Sequence, residues 1–298
     1  MANGITVTGS TGVNVNSPQL TLTGTGAIVA TTNDIVVESN NGANTLNVTM
    51  GAGSKLQASG ANGDLFFNNG GAGAITINNA GRGSLLANVL TGSLNLNGGT
   101  ADVSVNVNDI NCCVNGTGRD FSIAVDTGNL SIGNVNISRD GTFINTDGTA
   151  TNGNINLNCG TGVASAVSGG NIIMTSGANG GIALTTGGIS TTNGTVTLTA
   201  GTTDGDITIG ALVSGSGNVI LQTGIAGSIA ANANVSSTGA QVTLTGGSNG
   251  GESVTVGTGA TVTGNTGVNV NTPQLTLTGR GAIVATTNDI VVESNNGA

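Results

Sequence analysis

A stretch of 33 residues occurs twice in this chain, and this duplication constrains the fold more than any other sequence feature. Residues 11–43 return as residues 266–298, at an offset of 255. The two copies differ at only two positions, Ser17 against Thr272 and Thr25 against Arg280. Such self-similarity at a fixed period is the signature of repeat architectures. We therefore expect slightly more than one unit of a longer tandem array.

A shorter period of about 23 residues runs through the second half of the chain. The segments NIIMTS, TVTLTA, NVILQT and QVTLTG place an apolar residue at steps of 24, 23 and 23. This first column comprises Ile172, Val196, Val219 and Val242, and Val268 and Ile290 continue it. A second column comprises Ile182, Ile207, Ile229 and Val254, and a third comprises Ile189, Leu212, Val235 and Val262. Apolar residues alternate with Thr, Asn or Ser in each segment, which is the pattern of a half-buried β-strand.

These columns predict an all-β chain folded as a parallel β-helix, a β-solenoid with about 23 residues and three short strands per coil. Equivalent strands of successive coils would pair in parallel, ~4.8 Å apart, so that about eleven coils span roughly 50 Å per 255-residue unit. A β-sandwich is the rival fold, but it gives no reason for three apolar positions to keep their offsets. The first half is less regular, and we expect coils of varying length there, with loops at residues 115–120 and 138–141. No composition shift marks a domain boundary, so residues 1–298 are interpreted as one continuous segment.

Composition and charge argue against several classes of protein. Charged residues make up 6% of the chain and mean hydropathy is +0.21, unlike the low hydrophobicity and high charge of disordered chains. The net charge of −9, with five scattered Lys and Arg residues, argues against a nucleic-acid-binding surface. No apolar run approaches the ~20 residues of a membrane span. The first ten residues do not have the pattern of a signal peptide, and we interpret them as a cut or engineered start.

Residues 194–247, from GTVTLTAG to QVTLTGG, resemble the stalk repeats of filamentous-haemagglutinin-type bacterial surface proteins. More broadly, they are similar to giant β-strand-repeat adhesins, and the resemblance in style covers most of the chain. It implies a right-handed β-helix, export to the cell surface, and a rod that holds a distal module away from the cell. The secretion domain of that family is not visible here, and neither is an anchoring or effector module.

Acidic residues are the first candidates for a chemical site. The chain has no His, which excludes a His-based triad. Asp204 and Asp206 lie two residues apart, so on a strand they would share a face and could act as an acid and base pair in glycoside hydrolysis. The favoured interpretation is a turn with two solvated carboxylates, because the chain has no Trp or Tyr to stack on a sugar ring. Calcium repeats and an EF-hand loop are absent, and no metal or cofactor site is predicted.

The chain contains three cysteines, Cys112, Cys113 and Cys159. Adjacent strand residues face opposite ways, so at most one of Cys112 and Cys113 points into the core. A bond to Cys159 requires Cα atoms within ~7 Å, whereas two regularly stacked coils separate them by about 9.6 Å. We therefore do not expect this disulfide. A zinc site is not predicted, because the chain has neither His nor a C-x-x-C motif.

Two further patterns concern the surface. The dipeptides Arg119-Asp120 and Arg139-Asp140 lie 20 residues apart, close to one coil, which predicts Arg–Asp pairs between coils. Repeated T-x-T segments place hydroxyl groups on one strand face, which resembles an ice-binding array, but Asn218, Ile220 and Gln222 interrupt it. Exposed threonine serving as a good strand residue is the favoured interpretation.

These observations predict a structural, non-enzymatic segment of an extracellular bacterial rod, filament or adhesin stalk. Its expected partner is a second copy, stacked end to end, because neither end of the chain has a capping sequence. In the parent protein, Ala298 would be followed by a segment like that from Asn44 onward. An ice-binding solenoid and a carbohydrate-active β-helix are the alternatives. An unbroken flat grid of threonines would favour the first, and acids clustered in a groove would favour the second.

Overall fold

The computed structural model of the chain describes residues 1–39, 45–61, 63–68, 74–79, 84–87, 93–98, 101–147, 153–165 and 170–295. Its seventeen strands up to residue 145 are β1 Thr6–Gly9, β2 Val13–Asn16, β3 Gln19–Leu22, β4 Ala27–Ala30, β5 Ile35–Glu38, β6 Leu46–Met50, β7 Lys55–Ala58, β8 Leu65–Asn68, β9 Ile75–Asn79, β10 Ser84–Leu86, β11 Ser93–Asn97, β12 Val103–Val107, β13 Asp109–Ile110, β14 Cys113–Gly118, β15 Phe121–Val125, β16 Leu130–Ile137 and β17 Gly141–Asn145.

The strands that follow are shorter and more evenly spaced. They are β18 Ile155–Leu157, β19 Gly162–Ser165, β20 Ile172–Thr175, β21 Ile182–Leu184, β22 Gly188–Thr191, β23 Val196–Thr199, β24 Ile207–Ile209, β25 Val213–Gly215, β26 Val219–Gln222, β27 Ile229–Ala231, β28 Val235–Ser237, β29 Gln241–Thr245, β30 Ser253–Val256, β31 Thr261–Gly264, β32 Gly267–Asn271, β33 Gln274–Leu277, β34 Ala282–Ala285 and β35 Ile290–Glu293. The described residues contain no helix, and so no helix that could span a membrane.

The strands pair in parallel along the axis of a β-solenoid of about 11 turns, with about 24 residues and three strands per turn. We name the three stacks sheet A (β1, β4, β7, β10 and β13), sheet C (β3, β6, β9, β12, β15, β17, β20, β23, β26, β29, β32 and β35) and sheet B (the remaining strands). Coils up to β15 contribute one strand to each sheet. From β18 onward, each coil contributes two strands to sheet B and one to sheet C.

The predicted first column is confirmed. Ile172, Val196, Val219 and Val242 are paired in register along sheet C, and each is fully buried. Val268 and Ile290 continue the same stack. The second column is also confirmed, through the pairs that join Ile182, Ile207, Ile229 and Val254. Alternation of apolar and polar residues therefore places a continuous apolar core inside the coils, since successive side chains of a strand point to opposite faces.

Two details of the prediction are wrong. In the third column Ile189 pairs with Val213, whereas Leu212 is 50% exposed. Successive side chains of a strand point to opposite faces, so assigning the column to a residue one position away selects a side chain that points to solvent and not into the core. The loop expected at residues 115–120 is wrong for residues 115–118, since β14 extends to Gly118 and only Arg119 and Asp120 form a bend. A short loop with a bend at Ser138 and Arg139 is present, as predicted, and β17 begins at Gly141.

Candidate functional site

The two aspartates considered as a catalytic pair serve the backbone instead. Asp204 lies in a turn and Asp206 precedes β24, and both are exposed. The Asp206 carboxylate accepts a hydrogen bond from the backbone N–H of Ser228, 2.7 Å away on the next coil. Across the described part of the chain, no three His, Cys, Asp or Glu residues are grouped in a way that could hold a metal ion.

Asp206 belongs to a recurrent arrangement that we name the Asx ladder. An Asp or Asn directly before a strand accepts, through Oδ1, the N–H of the equivalent residue one coil further along the chain. Asn171 shows the full pattern: its N–H donates to Asp140 Oδ1 at 2.8 Å, and its own Oδ1 accepts from the Thr195 N–H at 3.0 Å. The same bond joins Asp34 to Asp64, Asp102 to Asp120, Asp120 to Asp140, Asn129 to Asn154, Asn154 to Gly181, Asn218 to Gln241 and Asn234 to Thr261. Asn134, which lies inside β16, makes the same bond to Thr161.

The Asx ladder satisfies backbone donors at the corners, where the parallel strand pairing ends. Each N–H left without a partner in such a place costs free energy, which explains why a side-chain acceptor recurs there. The spacing of Asp204 and Asp206, which favours a turn with two solvated carboxylates, does not predict this role. The signal was present as Asp or Asn immediately before an inward Ile, Leu or Val, as in Asp34-Ile35, Asp206-Ile207 and Asn218-Val219.

Of the predicted Arg–Asp pairs between the two dipeptides, Arg139 with Asp120 is present, whereas Arg119 binds Asp102, an aspartate outside the dipeptides; each arginine binds an aspartate of the preceding coil. Arg119 Nε and Nη2 donate to the two carboxylate oxygens of Asp102 at 2.8 and 2.7 Å. Arg139 binds both oxygens of Asp120 in the same way, with Nε 2.6 Å from Oδ1. The hydrogen bond from Arg119 holds the pKa of Asp102 below its usual value. Because these side chains are substantially exposed, solvent screens their charges and each pair stabilises the fold only weakly.

The structure corrects the expectation about the cysteines. Cys113 and Cys159 form a disulfide bond, with Cα atoms 6.3 Å apart, and Cys112 is a free, buried thiol. Burial raises the pKa of the Cys112 thiol to about 12, so this cysteine is not a nucleophile near neutral pH. Cys112 and Cys113 do point to opposite sides, as the strand alternation predicts.

The distance estimate failed because the two coils are not stacked regularly at this point. Cys159 lies beyond β18, two coils after Cys113, and the coil between them has a bulge in β16 opposite Asn115. Gly133 lies in this bulge: a Cβ placed on it would approach Cys113 Sγ to 3.0 Å, and one placed on Gly160 would come within 2.6 Å of the Gly133 carbonyl carbon. The absence of a side chain at residue 133 therefore lets the disulfide pass across the middle coil.

The threonine array is interrupted where the sequence indicated. On the outer face of sheet C, Thr197 stands between Ile173 and Ile220, and Gln222 stands between Thr199 and Thr245. Ile173 is 40% exposed, so an aliphatic side chain breaks the row of hydroxyl groups. The unbroken threonine grid that would favour ice binding is therefore not formed on this face.

The last coil exposes the core of the solenoid. Val270 and Val292 occupy equivalent inward positions of adjacent strands, yet Val270 is 0% exposed and Val292 is 52% exposed. Leu277 and Ile290 of the same coil are also about half exposed, at 50% and 46%. At the opposite end, the inward Val7 of β1 is 44% exposed, while its partner Ile28 is buried. Both end coils thus present apolar side chains that elsewhere are covered by a neighbouring coil.

No protein-family model, curated protein or solved structure matches this chain.

Proposed function

We propose that this chain is a structural, non-enzymatic repeat segment of an extracellular bacterial rod, filament or adhesin stalk, and that it associates end to end. The observation that carries the proposal is the exposure of Val292, whose equivalent one coil earlier, Val270, is fully buried. Adding one more coil would cover Val292 in the same way. Burying apolar surface is favourable by about 25 cal/mol per Å², so the end coil has a thermodynamic reason to bind another coil.

The Asx ladder supports a polar, head-to-tail arrangement. Every ladder bond identified above runs from a side-chain acceptor in one coil to an N–H in the next coil toward the C-terminus. Asp289 occupies the corresponding place before β35, and its backbone carbonyl already accepts from the Val268 N–H. Its carboxylate has no hydrogen-bond partner among the described residues, so it is positioned to accept an N–H from a following coil.

The Cys113–Cys159 disulfide supports the extracellular part of the proposal. Structural disulfides persist in oxidising compartments and are rare where thiols are kept reduced. A role outside the cell also agrees with the resemblance of residues 194–247 to bacterial surface-protein stalks. The work of the protein is then mechanical, because stacked strands and an apolar core supply length and stiffness.

Electron microscopy and light scattering of the purified chain test the end-to-end association, with two variants on the same strand. Val292→Asp places a charge in the open core, whereas the control Val291→Asp places it on the outer face, where residue 291 is already 40% exposed. We expect filaments from the unaltered chain and from the control, and single particles from Val292→Asp. A well-folded unaltered chain that stays monomeric at high concentration would overturn the proposal, and so would filaments that both variants form equally.

A further inference from the structure

The two copies of the duplicated stretch do not occupy equivalent places in the solenoid. In the first copy, Val13–Asn16 and Ile35–Glu38 belong to sheet B and Gln19–Leu22 belongs to sheet C. In the second copy, the strands that contain Val268 and Ile290 repeat the sequences of those two sheet B strands but belong to sheet C. Gln274–Leu277, which repeats Gln19–Leu22, belongs to sheet B.

The local winding of the two copies is nevertheless the same. Val13 pairs with Ile35 in the first copy, and Val268 pairs with Ile290 in the second, so both copies advance by the same number of residues per coil. Their valines also point inward in both places. The difference is therefore one of phase, in that the second copy lies one strand further around the coil than the first.

The phase difference follows from the count of strands along sheet C. The order β3-β6-β9-β12-β15-β17-β20-β23-β26-β29-β32 contains ten steps, each of which is one coil. The duplicated stretch begins with β2, one strand before β3, in the first copy, and with β32 itself in the second. The 255-residue unit thus contains ten coils and one additional strand.

The phase difference arises at the coil formed by β16 and β17, which contains two strands where the coils on either side contain three. After β13 no described strand continues sheet A, and the eight-residue β16 pairs with β14 on one side and with both β18 and β19 on the other. One strand of sheet B becomes two at this point, which we name the fork. The bulge at Gly133 and the Cys113–Cys159 disulfide both lie at the fork, so a covalent bond ties the coil before it to the coil after it.

We propose that the fork sets a rotation between successive 255-residue units, so that each unit presents its surface one face further around the rod. This inference rests on the proposed function as a tandem rod. A surface patch on one face would then recur on the next face after about ten coils, roughly 50 Å along the axis, and return to its own face only in the fourth unit. Partners that recognise one patch, including neighbouring rods, are accordingly met on every side of the rod.

The phase of the second copy is tested in the natural chain by engineered cysteine pairs. Thr243 and Asn269 are neighbours on the outer face of sheet C, whereas Ser236 is an outward residue of sheet B. We expect mild oxidation to join Thr243→Cys with Asn269→Cys, and no bond between Ser236→Cys and Asn269→Cys, as read by mass spectrometry of peptides. A bond in the second pair and none in the first would place Asn269 on sheet B and overturn the inference.

The rotation is tested by cryo-electron microscopy of the chain extended after Ala298 with one further copy of residues 44–298. We expect the third copy of the duplicated stretch to begin one strand position beyond the second, traced along the continuous sheets. Equivalent positions in the second and third copies within a continuous rod would overturn the rotation but leave the structural function standing. Failure of the extended chain to form a continuous rod would overturn the proposed function as well.

Discussion

The most specific prediction concerns the Asx ladder at Asn171, which Asn171→Ala removes. The Asn171 Oδ1 atom accepts the Thr195 N–H at 3.0 Å and the Thr195 hydroxyl at 2.9 Å. Each such bond contributes about 0.5–1.5 kcal/mol net, and a buried N–H left without a partner costs about 1–3 kcal/mol. Because Thr195 is only partly buried, water recovers part of this loss, so we expect a destabilisation of about 2 kcal/mol.

Two matched variants isolate the effect. Asn171→Ser keeps a side-chain oxygen, and Ser228 already fills this role by accepting the Ser253 N–H at 3.0 Å, so the serine variant should lose less stability than the alanine. Asn106 is an exposed asparagine on the outer face of sheet C, and Asn106→Ala should change the unfolding free energy by less than about 0.5 kcal/mol.

Urea denaturation and amide hydrogen exchange measure the outcome. Exchange is the sharper assay, because the stability of a repeat protein is spread over neighbouring coils and local opening is read residue by residue. We expect the Thr195 amide to exchange faster in Asn171→Ala, with little change in distant coils. Unchanged exchange at Thr195, or an equal loss of stability in Asn106→Ala, would refute the role assigned to the ladder.

Three further predictions test the core, a half-buried acid and the disulfide. Val219→Asp should lower stability by several kcal/mol, because Val219 is fully buried and a charge there has no partner; an unchanged melting temperature would contradict the core assignment. Burial raises the pKa of Asp109, so the folded chain holds this proton more tightly than the unfolded chain, and stability is lost as pH rises through the carboxyl range. Asp109→Asn should therefore raise Tm near pH 7 and leave it unchanged near pH 3, whereas an equal shift at both pH values would contradict the titration. Cys159→Ser should cost up to about 4 kcal/mol by loop-closure entropy and leave Cys113 open to thiol reagents, while no change in either property would show that the bond does not form.

The sequence by itself determined the repeating core. Apolar residues alternate with polar ones around Val219, and the same pattern recurs one coil later. These apolar side chains can all be buried together only if equivalent residues of successive coils stack, and the structure confirms this stacking for the first two columns. Arg139 was likewise predictable as an inter-coil partner of Asp120, because a spacing close to one coil places residues side by side along the axis.

Only the tertiary structure decided where the coils depart from regular stacking. The Cys113–Cys159 bond depends on a bulge and a glycine in the coil between the two cysteines, and a spacing in sequence carries no information on how far a bulge draws coils together. The face on which Val268 lies depends on the sum of the strands in all the coils before it, including the coil at the fork, which contains two strands instead of three. Two stretches of identical sequence can therefore lie on different faces. Each coil packs only on its neighbours, so the position of a strand around the axis is set by the coil before it and not by its own sequence.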